Sequence, residues 1–168
     1  MALPQRIAIT GASGMIGSAL VGHLKSEGHT IQRLVRRPVV SPDEVSWNPL
    51  TGEVDLAALE GVDAVIHLAG ANVGDKRWSK KYRAEILNSR LLGTNTIATA
   101  VSKLKPDVFI SSSAIGWYGE TGNRTVVEDD RPGDDFLAAV CKEWEGAADS
   151  ASGTRTVKIR TGLVLEPT

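Results

Sequence analysis

Residues 6–17, RIAITGASGMIG, are the most informative segment of this 168-residue chain. The apolar run at residues 6–10 predicts a buried strand, because it contains neither glycine nor proline. A turn with three glycines follows, and from Met15 onward the apolar residues recur at the spacing of a helix. This order aims the free N–H groups of the helix N-terminus past the end of the strand. Those groups carry partial positive charge and favour a phosphate or pyrophosphate.

The three glycines have different expected roles. Gly11 makes the turn, Gly14 lets a ligand approach the backbone, and Gly17 lets the helix pack on the sheet. Because the motif follows the first strand and opens a helix, it favours dinucleotide binding. A plain tight turn is the alternative. A mononucleotide or another phosphate ligand is a weaker one, since no lysine follows the glycines.

Composition narrows the class of protein. The chain has 19 basic and 20 acidic residues and a formal charge of −1, so we expect neither nucleic acid nor a membrane surface as partner. We see no apolar run of membrane-spanning length and no signal-peptide core. The single cysteine excludes an internal disulfide, and the three histidines lack metal-ligand spacing. We therefore expect a cytoplasmic protein with no metal site.

Strand and helix signals alternate along the chain, which predicts an α/β fold with a mostly parallel, doubly wound sheet. The expected strand order is 3-2-1-4-5-6, and residues 1–168 are expected to form one dinucleotide-binding (Rossmann) domain. The six candidate strands lie near residues 5–10, 30–36, 44–47, 63–68, 107–112 and 156–160.

The end of the second strand bears on the choice of cofactor. In a dinucleotide fold this point meets the adenosine ribose, where an acidic residue selects NAD and a basic one accepts the 2′-phosphate of NADP. Arg36 and Arg37 stand there, with no Asp or Glu at the strand end. The sequence thus favours NADP over NAD, with a solvated basic turn as the alternative.

Hydroxyl side chains mark the end of the fifth candidate strand. Ser113 follows two further serines, and Tyr118 comes five residues later. Ligands bind at this edge of open α/β sheets, so a site is favoured over a serine-rich turn bonded to its own backbone. His67 and Cys141 fall on apolar patterns and are expected to be core residues.

Four local motifs coincide over most of the chain and together resemble the extended short-chain dehydrogenase/reductases. The resemblance is to their atypical branch, which is labelled epimerase-family protein, nucleoside-diphosphate-sugar epimerase or cell-division inhibitor. The motifs are the glycine turn, Arg77-Trp78-Ser79 with Ser89-Arg90-x-x-Gly93-Thr94, Ser112-Ser113-Ala114 with Tyr118-Gly119, and Arg160-Thr161-Gly162-x-Val164-Leu165.

The resemblance implies NADP as the cofactor and a second, C-terminal substrate lobe, most of which this chain lacks. The apolar spacing from Tyr82 to Leu104 predicts a long helix with Ser79 as its N-cap. The resemblance also implies a small-molecule substrate and, as in many relatives, a homodimer formed through this helix. The cofactor-binding positions expected from the glycine turn and the resemblance are Gly11, Ser13, Gly14, Met15, Ile16, Gly17, Val35, Arg36, Leu68, Ala69, Gly70, Glu85, Arg90 and Val164.

One departure from the wider superfamily affects the mechanism. The Tyr-x-x-x-Lys pair is missing, because Tyr82 and Tyr118 are each followed four residues later by an apolar residue or a glycine. The serine remains as Ser113, expected to bond a substrate oxygen. Tyr118 is the best remaining proton donor, and Lys142 is a weaker candidate.

Two functions stay open. One is an NADP-dependent epimerase or oxidoreductase acting on a carbonyl or hydroxyl carbon, such as that of a nucleotide sugar. The other is a non-catalytic NADP(H)-binding sensor or scaffold module.

Overall fold

A seven-stranded sheet forms the centre of the computed structural model, which describes residues 3–165. The strand order is β4-β3-β2-β1-β5-β6-β7. Single 3₁₀ turns lie at Ala57–Leu59 and Ile115–Tyr118. The main elements are β1 (Arg6–Thr10), α1 (Met15–Ser26), β2 (Thr30–Val35), β3 (Glu44–Asn48), β4 (Glu53–Val54), β5 (Ala64–His67), α2 (Lys80–Leu104), β6 (Val108–Ala114), α3 (Phe136–Asp149) and β7 (Arg155–Thr161).

The topology confirms the predicted fold and strand order. All pairings are parallel except that between β3 and β4, which is antiparallel. The sequence did not predict β4, because two residues at the sheet edge are too short to show a periodic pattern. Leu56, Leu59 and the nearby alanines suggest a short helix from sequence, but the structure has only the 3₁₀ turn at Ala57–Leu59 there.

Both faces of the central strands are covered. α1 packs on one face, where Leu20 and Leu24 meet a cluster that includes Ile7, Ile9 and Ile66. α2 and α3 cover the other face, over a larger cluster. Because they are buried on both sides, β1 and β5 are apolar runs rather than alternating strands.

Local sequence signals fix the helix ends. The Ser79 hydroxyl accepts a hydrogen bond from the amide of Tyr82 and caps α2, as predicted. Asp135 caps α3 in the same way through the amide of Ala138. α1 ends where Gly28 adopts a positive φ of 89°.

The parallel strands bring the loops that follow β1, β2 and β5 to one edge of the sheet. The glycine turn, the arginines after β2 and the small residues after β5 therefore meet there. Across residues 3–165, no helix has the length and apolar character needed to cross a membrane.

Candidate functional site

An open groove of about 410 Å³ runs across the carboxyl ends of β1, β2 and β5. It adjoins a second groove of about 610 Å³ that extends along α2. The two grooves share Arg36, Trp47, Ala69 and Gly70. The first is lined by the turn residues Gly11, Ala12, Ser13 and Gly14, by residues 33–37, and by Trp47, Leu68, Ala69 and Gly70.

The glycine turn has no room for side chains at two of its three glycines. Gly11 has a φ of 69°, and a Cβ there would lie 2.9 Å from the backbone nitrogen of Ala69. A Cβ on Gly17 would lie 2.1 Å from the carbonyl oxygen of Gly11. Gly14 is the N-cap of α1, and its nearest contact would be at 3.4 Å. The amide end of α1 therefore opens into the groove, with no acidic side chain in the first turn.

Two of the three arginines at the end of β2 are held by carboxylates. Arg33 donates to Asp43 at 3.0 and 2.9 Å, and Arg37 donates to Glu44 at 2.9 and 2.6 Å. These hydrogen bonds keep the pKa of both carboxyl groups below its ordinary value. Arg36 pairs with no acidic side chain among residues 3–165. It is exposed at the junction of the two grooves.

The loop after β5 is fastened to β1 by Thr10. Its hydroxyl accepts hydrogen bonds from the amides of Leu68 and Ala69 at 3.2 and 3.3 Å. It also lies 2.7 Å from Nδ1 of His67. His67 is fully buried, as predicted for a core residue, and burial lowers its pKa to about 4. The ring is therefore neutral near pH 7 and supports the groove through Thr10.

Several expected cofactor positions lie outside the first groove. Glu85 lines the second groove, with its carboxylate 3.6 Å from Lys76. Met15, Ile16 and Val164 are exposed and line neither groove. Arg90 also lines neither, and lies behind Gly70.

Ser113 and Tyr118 belong to one hydrogen-bonded network. The Ser113 hydroxyl donates to Glu145 at 2.6 Å, and Arg160 donates to the same carboxylate at 2.8 and 3.0 Å. Arg160 also donates to the Tyr118 hydroxyl at 2.9 Å. Burial raises the pKa of Glu145, but the bonds from Arg160 and Ser113 outweigh it and hold that pKa below its ordinary value.

This network brings the two predicted catalytic residues together, although neither lines the two grooves. Lys142, the weaker candidate, is exposed. Glu145 did not enter the predicted site. The sequence feature that could have indicated Glu145 is its place on the buried stripe of α3, four residues after Cys141. Cys141 is itself a core residue, as predicted. Burying a carboxylate requires a partner, and Arg160 supplies it.

In the part of the chain that the structure describes, no three His, Cys, Asp or Glu side chains come together to suit a metal ion. The strand order, the tight glycine turn and the groove at the strand ends define a Rossmann-type α/β protein. The chain belongs to the NAD dependent epimerase/dehydratase family, which it matches over residues 7–138.

Three relatives illustrate this membership. The chain is 45% identical to the epimerase family protein ML0860 of Mycobacterium leprae over 161 residues, which is 95% of this chain and 52% of that protein. The crystal structure of human epimerase family protein SDR39U1 (isoform 2) with NADPH gives a TM-score of 0.81 at 32% identity, covering 95% of this chain and 54% of that one. The nucleoside-diphosphate sugar epimerase of Corynebacterium glutamicum gives 0.81 at 37% identity, covering 94% and 33%. The chain therefore spans about half the length of the curated relatives it matches.

Proposed function

We propose that this protein binds NADP(H) and acts as an epimerase or oxidoreductase on a carbonyl or hydroxyl carbon of a small molecule such as a nucleotide sugar. The observation that carries the cofactor choice is Arg36. Of the three arginines at the end of β2 (Arg33, Arg36 and Arg37), it is the one without a carboxylate partner in residues 3–165, and it stands at the rim of the groove. A guanidinium in that place suits a 2′-phosphate.

The residues present fit a dinucleotide. Gly14 and the first amides of α1 suit a pyrophosphate, while Gly11 and Gly17 keep the turn close to the sheet. The family description names NAD, and the human relative was solved with NADPH. Arg36 therefore supports NADP within a family that uses both. In this proposal residues 1–168 act as one nucleotide-binding domain.

Once bound, the nicotinamide supplies hydride transfer, and the protein orients the reactants. Ser113 commits its proton to Glu145, so its oxygen lone pairs are the part left to meet a substrate hydroxyl. Tyr118 accepts from Arg160 and keeps its own proton to donate. These are the roles that we propose for the two residues.

A non-catalytic NADP(H)-binding module is the second candidate function. Two observations favour it: the Tyr-x-x-x-Lys pair is missing, and Ser113 and Tyr118 are both engaged in the network around Arg160. In this case the same groove would sense the cofactor or hold a partner.

Titration with NADPH and NADH tests the cofactor proposal. Arg36→Ala should weaken NADPH binding about ten- to hundred-fold, the loss expected for hydrogen bonds to a charged group, and leave NADH nearly unchanged. Arg155→Ala is the matched control. It also removes an exposed arginine, but Arg155 is the first residue of β7, and the groove lies at the other end of the parallel strands. Failure of the unaltered chain to bind either nucleotide would overturn the proposal.

A second experiment separates the two functions. Nucleotide sugars and simple carbonyl compounds are incubated with NADP⁺ or NADPH. The nicotinamide absorbance reports net oxidation or reduction, and chromatography of the sugars reports epimerisation, which leaves the nicotinamide unchanged overall. If the unaltered protein converts a compound and Tyr118→Phe does not, the result supports the catalytic function. Tight NADPH binding with no turnover of any compound supports the module.

A further inference from the structure

We propose that Glu44 sets how strongly the groove prefers NADPH over NADH, because its carboxylate engages Arg37 and withholds that charge from the 2′-phosphate. This inference rests on the proposed NADP(H) binding. It makes Glu44 a specificity-determining residue that touches no cofactor and acts through Arg37.

The carboxylate of Glu44 is covered by groups that favour its charge. Glu44 is the first residue of β3, and its side chain is 1% exposed. Oε1 accepts from Nη2 of Arg37 at 2.6 Å, and Oε2 accepts from Nη1 of Arg37 at 2.9 Å and from the amide of Val40 at 3.0 Å. Oε1 also lies 3.2 Å from Nη2 of Arg33. The bonds from Arg37 and Val40 hold the pKa of Glu44 below its ordinary value, so the group is ionised near pH 7.

This pair occupies one of the edges with which the Arg37 guanidinium grips a phosphate. Arginine binds carboxylates and phosphates alike through two parallel N–H bonds. Both Nη atoms of Arg37 are committed to Glu44, and Nη1 also donates to the carbonyl of Pro38 at 2.9 Å. Arg37 nevertheless lines the first groove, and its side chain is 52% exposed. It therefore stands at the rim of the groove with its charge already balanced.

The charges at the end of β2 balance one another except for that of Arg36. Arg33 pairs with Asp43 through two hydrogen bonds, and Arg37 pairs with Glu44 in the same way. Arg36 directly precedes Arg37 and pairs with no acidic side chain in residues 3–165. A 2′-phosphate at this rim thus meets one free cation. An amide in place of the Glu44 carboxylate would free a second, because Asp43 stays committed to Arg33.

Glu44→Gln, with Glu53→Gln as control, tests this step. Glutamine keeps the size of the side chain and an oxygen for the amide of Val40, but it removes the charge. The ratio of the NADH Kd to the NADPH Kd should rise about ten-fold, the change expected for one hydrogen bond between charged groups. NADH binding itself should stay nearly constant, because NADH has no 2′-phosphate. Glu53 is exposed on β4 and lines neither groove, so Glu53→Gln should leave the ratio unchanged.

Arg37→Met identifies the cation that causes the gain. Added to Glu44→Gln, it should return the ratio to nearly that of the unaltered chain. A gain that survives Arg37→Met would show a general effect of charge and overturn the proposal. An unchanged or lower ratio in Glu44→Gln would overturn it as well, and a lower one would mean that Glu44 supports the NADPH site.

Nitrogen NMR of the arginine side chains provides a readout that needs no nucleotide. The paired guanidinium of Arg37 cannot rotate freely about its Nε–Cζ bond, so its two Nη atoms should give separate signals. In Glu44→Gln they should merge into one averaged signal. Adding NADPH to the unaltered chain should shift the signals of Arg36 and leave those of Arg37 separate.

Two NMR outcomes contradict the proposal. An averaged Arg37 signal in the unaltered chain would show that Glu44 does not hold the guanidinium. Arg37 signals that move as far as those of Arg36 when NADPH is added would show that Arg37 binds the phosphate despite Glu44. If the unaltered chain bound neither nucleotide, the function proposed above would fail, and the spectrum without nucleotide would still decide whether Glu44 holds Arg37.

Discussion

At the scale of single residues, the burial of His67 makes the stability of the fold depend on pH. Its folded pKa of about 4 lies below the ordinary value of 6.5, since burial disfavours the charged ring. The unfolded chain therefore binds the proton more readily. The contribution of His67 to stability is complete above pH 6.5 and falls as the pH drops toward 4, by about 3 kcal/mol in total.

Urea unfolding at several pH values between 7 and 4 measures this effect. His67→Asn removes the titrating ring and keeps every carboxylate, so its stability should depend less on pH over this range. The difference between the two proteins isolates His67. Parallel pH profiles would show that His67 does not titrate as its burial implies.

The arginines after β2 show how far single residues can be predicted from sequence. The strand pattern and the lack of an acid predicted a basic site, and Arg36 lies at the rim of the groove. That Arg37 is bound to Glu44 could not be foreseen, because the pairing depends on how the turn at residues 36–43 folds back. A sequence gives the charges at a strand end, but only the turn geometry decides which of them are already neutralised.

At the scale of elements, α1 offers a matched pair of glycines. A Cβ on Gly17 would overlap the carbonyl oxygen of Gly11, whereas one on Gly22, in the same helix, meets nothing within 4 Å. Gly17→Ala should thus force α1 away from the turn and cost about 2 kcal/mol or more. Gly22→Ala should stabilise the protein by about 0.5–1 kcal/mol, because alanine favours the helix.

Thermal or urea unfolding measures both changes, and NADPH titration adds the functional effect. Gly17→Ala should lose nucleotide binding, and Gly22→Ala should keep it. Equal stability of the two variants would contradict the packing argument.

The pair formed by Glu145 and Arg160 joins α3 to β7. The side chain of Glu145 is 5% exposed and that of Arg160 is 17% exposed, so each charge depends on the other. Arg160→Leu leaves the carboxylate buried without its cation and should cost about 3 kcal/mol or more. The double variant Arg160→Leu, Glu145→Leu should recover part of this loss, because no buried charge remains.

Denaturant unfolding of the single and double variants tests the coupling. A double variant less stable than Arg160→Leu alone would show that the pair is not the reason for the loss. The sequence predicts β7 as a strand, and the helical spacing of apolar residues from Leu137 to Ala148 predicts α3. They could not predict that Ser113 and Glu145, 32 residues apart, share a hydrogen bond, since side-chain pairing across elements leaves no periodic signal.

At the scale of the whole molecule, the strands differ in burial and pairing from the centre of the sheet to its edges. β1 and β5 lie side by side near the centre, each paired with strands on both sides, and every residue of β5 is buried. Within residues 3–165, β7 pairs only with β6, and β4 has two residues at the other edge. Apolar burial near the centre is what made β1 and β5 predictable from sequence, whereas β4 was missed because its two residues are too few to show a periodic pattern.

Native-state hydrogen exchange should follow the same order. Amides of β1 and β5 should exchange only when the whole domain unfolds, so their exchange free energies should equal the global value from urea unfolding. Amides of β4 and of the loop at residues 119–135 should exchange fastest, at least about ten-fold faster than those of β5, because few buried contacts hold them. β7 should lie between the two groups, since in the described part of the chain it is paired along one side and carries the exposed residues Arg155 and Ile159. If β7 were protected as strongly as β5, its outer edge would have to be covered in solution, and the sheet would not end there.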